Sequence, residues 1–169
     1  MLIQNITSIL RNTPLRWESL ASSLPPELLW RKPALAEWSA LECLQHLVDT
    51  ELYVFPLRAR CFLAGENFSP FDPDLQGSVG KAQPEPLELV GEFKQLRIAS
   101  ISLLESVTQG DTSRRAVHPE LGPVTLAELL NEWAAHDLMH TVQAERALMQ
   151  PFIAGCGPWQ VYFKDHWVG

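Results

Sequence analysis

A chain of 169 residues, 46% hydrophobic and 20% charged, has enough apolar content for a packed core and is neither disordered nor fibrous. Its formal net charge of −7 argues against a nucleic-acid partner, which would be met by clustered Lys and Arg, and the densest basic cluster here is Arg114-Arg115. No apolar run approaches the roughly 20 residues of a membrane span, and "MLIQNITSIL" has neither the charged start nor the cleavage site of a signal peptide.

In chain order the signals are helical. A first segment runs from about Leu2 to Leu24, with Ile3, Ile6, Leu10, Trp17, Leu20 and Leu24 at spacings of three, four and seven. Pro14 is expected to kink or divide it, and Pro25-Pro26 to end it. A second segment opens on the capping box "SALE", Ser39 to Glu42, and continues to about Ala64 with a bend at Pro56. One of its stripes is Leu44, Val48, Leu52, Phe55 and Phe62; the other is Leu47, Val54, Leu57 and Cys61, so it should be buried on most sides.

Residues 65 to 86 carry seven Gly and Pro residues and read as a long loop. Such a loop can recross the molecule, so the second and third helices need not be an antiparallel pair. The third segment spans about Leu87 to Thr108, with Val90, Phe93, Ile101, Leu104 and Val107 as its seam. The stretch "GDTSRRAVHPELGP" reads as another loop, since β signals are scarce and no Asn-Gly or Asp-Gly hairpin is present. The fourth segment opens on the capping box "TLAE", Thr125 to Glu128, runs to about Met149, and is expected to stop at Pro151. The tail "CGPWQVYFKDHWVG" is aromatic and is expected to fold back over one end of the helices. The sum is an all-α chain: a four-helix bundle over residues 1–169, read as one domain, with a long crossover loop between helices two and three and an aromatic C-terminal tail. Cys43, Cys61 and Cys156 are odd in number and lack CxxC spacing, which argues against a disulfide framework or a Cys-based zinc site; a reducing, cytoplasmic location is the default.

The chemistry lies in the histidines. His136 and His140 are four apart, so they share a face of the fourth helix with Leu129, Trp133 and Ala147. Two imidazoles on a partly apolar face need hydrogen-bond partners or a cation. A pair of this kind serves as a metal clamp, as polar plugs in a core, or as solvated side chains. A third ligand would come from another helix, and His46, one turn beyond the first capping box, is the candidate. "HDLMH" also resembles the HExxH protease motif, but Asp137 replaces its glutamate and no third protease ligand follows.

The order of these signals resembles the DinB-like (YfiT-like) superfamily of metal-binding four-helix bundles. It is carried by "EWSALECLQHLVDTELYVFPLRAR", "VHPELGPVTLAELLNEWAAHDLMHTVQAE" and "GPWQVYF", which together span most of the chain. The resemblance implies that His46, His136 and His140 bind a divalent metal ion, zinc or nickel first, iron or manganese also compatible with imidazole. It also implies relatives that are transferases or isomerases using a low-molecular-weight thiol, with a small-molecule substrate and a homodimeric state. A metal-dependent hydrolase and a non-catalytic metal- or ligand-binding bundle are the alternatives.

Neighbouring residues take lesser expected roles. Gln143, on the histidine face, is placed to hydrogen-bond a water held by the ion. Asp49 is placed to orient His46, and Glu132 is either a supporting residue or solvated. Asp137 points about 100° from the histidines and is expected to hold structure. Glu51 and Arg58 are read as an ion pair. His118 and His166 are expected at the surface or in packing, with His166 an outside candidate for a fourth ligand.

Overall fold

A computed structural model describes residues 1–68 and 84–168. Much of the expected 65–86 loop, from Ser69 to Gln83, lies outside the described residues. The helices are α1 (Leu2–Ser23), the single turn α2 (Pro26–Leu29), α3 (Ala40–Tyr53), α4 (Phe55–Ala64), α5 (Pro86–Glu105) and α6 (Leu126–Gly155). A short 3-10 turn, Asp111–Ser113, leads into the antiparallel strands β1 (Arg115–His118) and β2 (Gly122–Thr125). A second 3-10 segment, Gly157–Phe163, begins the tail.

Both capping boxes form. Ser39 Oγ accepts from the Glu42 amide, and the Glu42 carboxylate accepts from the Ser39 amide; Thr125 and Glu128 repeat the pattern. Each box satisfies two N–H groups that a helix start would otherwise leave open.

The prolines behave differently from one another. Pro14 neither kinks nor divides α1 enough to break it. A proline removes the hydrogen bond to the carbonyl four residues back, which here is Leu10. That carbonyl is satisfied by Arg97 of α5, whose Nη1 donates to it at 3.0 Å. Pro56, expected to bend one long helix, instead accompanies a break: Val54 has φ −122° and ψ −81°, and α4 starts at Phe55 with Pro56 in its first turn. Pro151 does not stop α6, which continues to Gly155. Past the proline, Ile153 is buried, and Gln150 is tied to the returning tail.

The hairpin β1–β2 is a departure from the expected loop. Its three-residue turn pairs His118 with Gly122, which adopts φ +76°. His118 Nδ1 accepts from the amides of Glu120 and Leu121. A side chain thus replaces the Asn-Gly chemistry that marks commoner hairpins.

In the bundle α1 packs on α5 and α6, and α3 packs on the same two, so α1 and α3 take opposite corners. Two apolar clusters fill it. One joins Trp17, Leu44, Leu47, Leu89, Phe93 and Leu148; the other joins Leu10, Phe55, Phe62, Leu104, Leu130 and Trp133. The beginnings of α3 and α5 meet in the first cluster, and Glu51, near the end of α3, meets Arg97 and Ser100 farther along α5. The two helices therefore run the same way, as a recrossing connection between α4 and α5 permits. Between the clusters lies a buried polar layer that includes Thr13, Glu51, Arg97, Ser100, Asp137 and Thr141.

The tail folds back along α6, but its aromatic rings do not close the bundle. Trp159, Tyr162 and Trp167 stay exposed. Polar bonds hold it instead: Arg146 donates to the carbonyls of His166 and Trp167, and Gln150 exchanges bonds with His166 and Val168.

Candidate metal centre

Three histidines meet at the α3–α6 contact. One ring nitrogen from each of His46, His136 and His140 lies within 4.8 Å of the others. His46 Nε2 and His136 Nε2 are 3.1 Å apart. The ring centroids are separated by 4.4 to 5.0 Å. α6 supplies two rings because positions four apart share a face. α3 supplies the third from one turn past its capping box, where the helix start is fixed.

The surroundings keep these rings neutral. Burial is the first cause: it pushes His46 down to about 4 and His136 down to about 3, and the neighbouring imidazoles push the same way. His140 is lowered by burial too, against opposing effects of Gln143 and Asp137. Neutral imidazoles offer lone pairs, the form a metal requires. Gln143 Oε1 accepts from His140 Nδ1 at 2.8 Å, which places that ring's proton on Nδ1 and leaves Nε2 with its lone pair.

The donor set fits a divalent cation. With metal–nitrogen bonds of about 2.0–2.1 Å, neighbouring ligand atoms stand roughly 3.0–3.4 Å apart, and the His46–His136 spacing falls in that range. His136 Nδ1 is buried with no hydrogen-bond partner among the described residues. Without a cation one Nε2 donates to the other across this contact, whereas a shared cation would take the lone pairs of both rings; the orphaned His136 Nδ1 costs free energy in either case.

Aromatic walls enclose the cluster. Trp38, in the connector before α3, stacks on His140 at 5.7 Å and tilts over His46 at 5.0 Å. Phe55 meets His136 edge-on at 5.0 Å and stacks on Trp133 at 5.2 Å. Trp38 and Gln143, both in contact with His140, also line a cleft of about 350 Å³ with Met139, Val142, Arg146 and Val168. The tail therefore contributes Val168 to this cleft rather than its aromatic rings.

The lesser residues sort themselves. Gln143, expected on a water, is engaged by His140. Asp49 is buried one turn after His46 and accepts from Gln45 Nε2 at 3.3 Å. Glu132 is exposed and acts electrostatically on Arg58. Asp137 holds structure through a two-point pair with Arg97, at 2.6 and 3.0 Å. The expected Glu51–Arg58 pair is replaced: Glu51 is buried against Arg97 at 2.6 Å and also takes bonds from Ser100 and Trp133. Arg58 lies instead over the Phe68 ring. The break at Val54 explains the change, because it takes Glu51 and Arg58 off one continuous helical face. His118 caps its hairpin turn and packs on Phe68, and His166 is exposed in the tail; neither joins the cluster.

Arg97 went unread in the sequence. It occupies the α5 seam four residues after Phe93 and four before Ile101, and a charge in an apolar seam signals a buried partner.

The DinB superfamily model matches residues 9–144. Among solved structures, the chain is similar to YfiT from Bacillus subtilis, described as a probable metal-dependent hydrolase with an unusual four-helix bundle topology. The TM-score is 0.76 at 17% identity, over 89% of this chain and 87% of that one. A DinB-like protein from Bacillus subtilis gives a TM-score of 0.58 at 20% identity, over 86% of this chain and 91% of that one. No curated protein sequence matches. Capped helices, bundle topology and the family match over four-fifths of the length agree: the chain belongs to the DinB superfamily.

Proposed function

We propose that this protein is a metal-dependent enzyme whose ion is held by His46, His136 and His140, and that it transfers or isomerises through a low-molecular-weight thiol. The observation that carries the metal reading is the 3.1 Å approach of two neutral imidazole nitrogens from different helices, with a third ring beside them. When bound, a divalent cation supplies Lewis acidity at its open positions and lowers the pKa of a thiol or a water entering there.

The chain's own groups do the rest. Gln143 fixes the His140 ring and its tautomer. Trp38 and Phe55 exclude solvent from two sides. The cleft lined by Trp38, Met139 and Val142 receives the apolar part of a small substrate. Among the described residues all three buried carboxylates are engaged, Glu51 and Asp137 by Arg97 and Asp49 by Gln45, so none stands open to take a proton from water. That favours a thiol over water, because a thiol ionises far more readily than water without a carboxylate base from the chain.

Hydrolysis is the second reading, favoured by the description of YfiT, the neighbour with the same bundle topology, as a probable metal-dependent hydrolase. The deciding experiment uses protein purified without a histidine tag. It is assayed metal-loaded and metal-stripped, with several thiols plus a haloaromatic electrophile, and in parallel with ester and phosphate substrates. Metal-dependent consumption of the electrophile only when thiol is present supports the first reading. Turnover of esters or phosphates without thiol replaces it with the second. No metal-dependent conversion in either arm removes both.

A further inference from the structure

Arg97 offers the histidine cluster no ligand atom, though its charge helps keep His136 neutral, and all four bundle helices converge on its guanidinium. From α3 comes Glu51, five residues after His46, at 2.6 Å. From α6 comes Asp137, between His136 and His140, gripped at two points. From α1 comes the Leu10 carbonyl that Pro14 leaves open. Arg97 itself is on α5, its side chain only 3% exposed.

We infer that Arg97 is the positioning residue of the metal centre: it sets the separation and register of α3 and α6, and so the spacing of His46 from His136 and His140. This inference rests on the metal reading above. Three observations carry it. First, both ligand-bearing helices are held by charge-assisted bonds from one planar group, at positions within five residues of the rings. Second, the network reaches the rings: Trp133 donates to Glu51 at 2.9 Å, Phe55 stacks on Trp133, and Phe55 touches His136. Third, the pair lies in a polar layer between two apolar clusters, where hydrophobic residues of equal volume would stabilise as well or better. Fixing geometry is a role that such residues would not fill, because metal sites tolerate ligand displacements of only about 0.2 Å. A lysine cannot substitute, since one ammonium cannot grip two carboxylates and a carbonyl in a fixed plane.

The test measures zinc and cobalt affinity by chelator competition, together with the visible absorption of the cobalt form, which reports ligand geometry. Arg97→Lys is compared with wild type and with Leu89→Ala, a core truncation on the same helix outside the network. With folding verified by circular dichroism, Arg97→Lys should bind at least tenfold more weakly and show an altered cobalt spectrum, while Leu89→Ala keeps both wild-type values. Should Arg97→Lys not fold, Glu51→Gln, which keeps the shape and weakens the pair, is read in the same way. Wild-type affinity and spectrum in the folded variant overturn the inference alone. Loss of affinity in Leu89→Ala equal to that of Arg97→Lys also overturns it, by reducing the effect to stability. Wild-type protein that binds neither metal overturns the metal reading and this inference with it.

Discussion

His46 and His136, ninety residues apart in sequence, bring their Nε2 atoms to 3.1 Å across the α3–α6 contact. Either ring alone would be an ordinary half-buried histidine. Together with His140 they bring one ring nitrogen each to within 4.8 Å of the others, a donor set suited to a single cation.

Protein isolated without a tag should carry one divalent ion per chain by elemental analysis. His46→Ala and His136→Ala should each abolish it, because two imidazoles make a far weaker site than three. Removing the ion with a chelator should lower the melting temperature, since a ligand bound only to the folded state stabilises it by about 2.7 kcal/mol at a hundredfold excess over its dissociation constant. An unchanged melt on chelation, with metal demonstrably removed, would count against a structural contribution from the site.

Gln143→Leu should weaken metal binding by roughly 10- to 100-fold, the usual loss when the partner of a ligating histidine is removed. It frees His140 Nδ1 and lets the ring and its tautomer wander. Gln143 is only half-buried, so the fold should be little affected. A variant with normal affinity would show that the His140–Gln143 bond has no part in holding the ligand.

Stability of the metal-free protein should fall in acid. His46 and His136 have folded values of about 4 and about 3, both below the ordinary 6.5. The unfolded chain therefore takes up protons first as pH drops. The stability at stake is fully present above pH 6.5 and is lost progressively as pH falls through 4 toward 3. Each unit of separation corresponds to at most roughly 1.4 kcal/mol, less for His46 because its ring is partly solvated. Urea midpoints of wild type and His136→Phe between pH 7 and pH 4 provide the measurement. The slope should be shallower in the variant, and identical slopes would contradict the assignment.

Ser39→Ala should cost about 1 kcal/mol by removing the cap of α3. The same change loosens the helix start that holds His46, seven residues beyond the cap. Equilibrium unfolding reads the first effect. A wild-type midpoint would mean that the Lys32–Glu42 pair, at 2.8 Å, holds the helix start without the serine.

Much of the helical frame is legible in local chemistry. The two capping boxes, the apolar spacing of Ile6, Leu10 and Trp17, and the seam of α5 are short-range patterns, and they appear where those patterns put them. Pro25-Pro26 ends α1 as its sequence announces, but the outcomes at Pro14 and Pro151 were not legible, because each depends on a distant partner. Pro14 is accommodated by an arginine 83 positions along the chain that takes up the freed Leu10 carbonyl. Pro151 sits in a helix that burial of Ile153 and the returning tail carry onward. The hairpin escaped because a histidine side chain closes its turn.

The sequence by itself singled out the histidines of the candidate site: a pair four apart in the middle of one helix and a single ring in the second turn of another. Only the tertiary structure decided that the three meet, that Trp38 and Phe55 wall them, and that Glu51 turns to Arg97 rather than Arg58. The reason is physical. Periodicity fixes the direction of a side chain about its own helix axis. The distance between two helices depends on what is packed between them, here a buried guanidinium whose place in the α5 seam announces a partner without saying which.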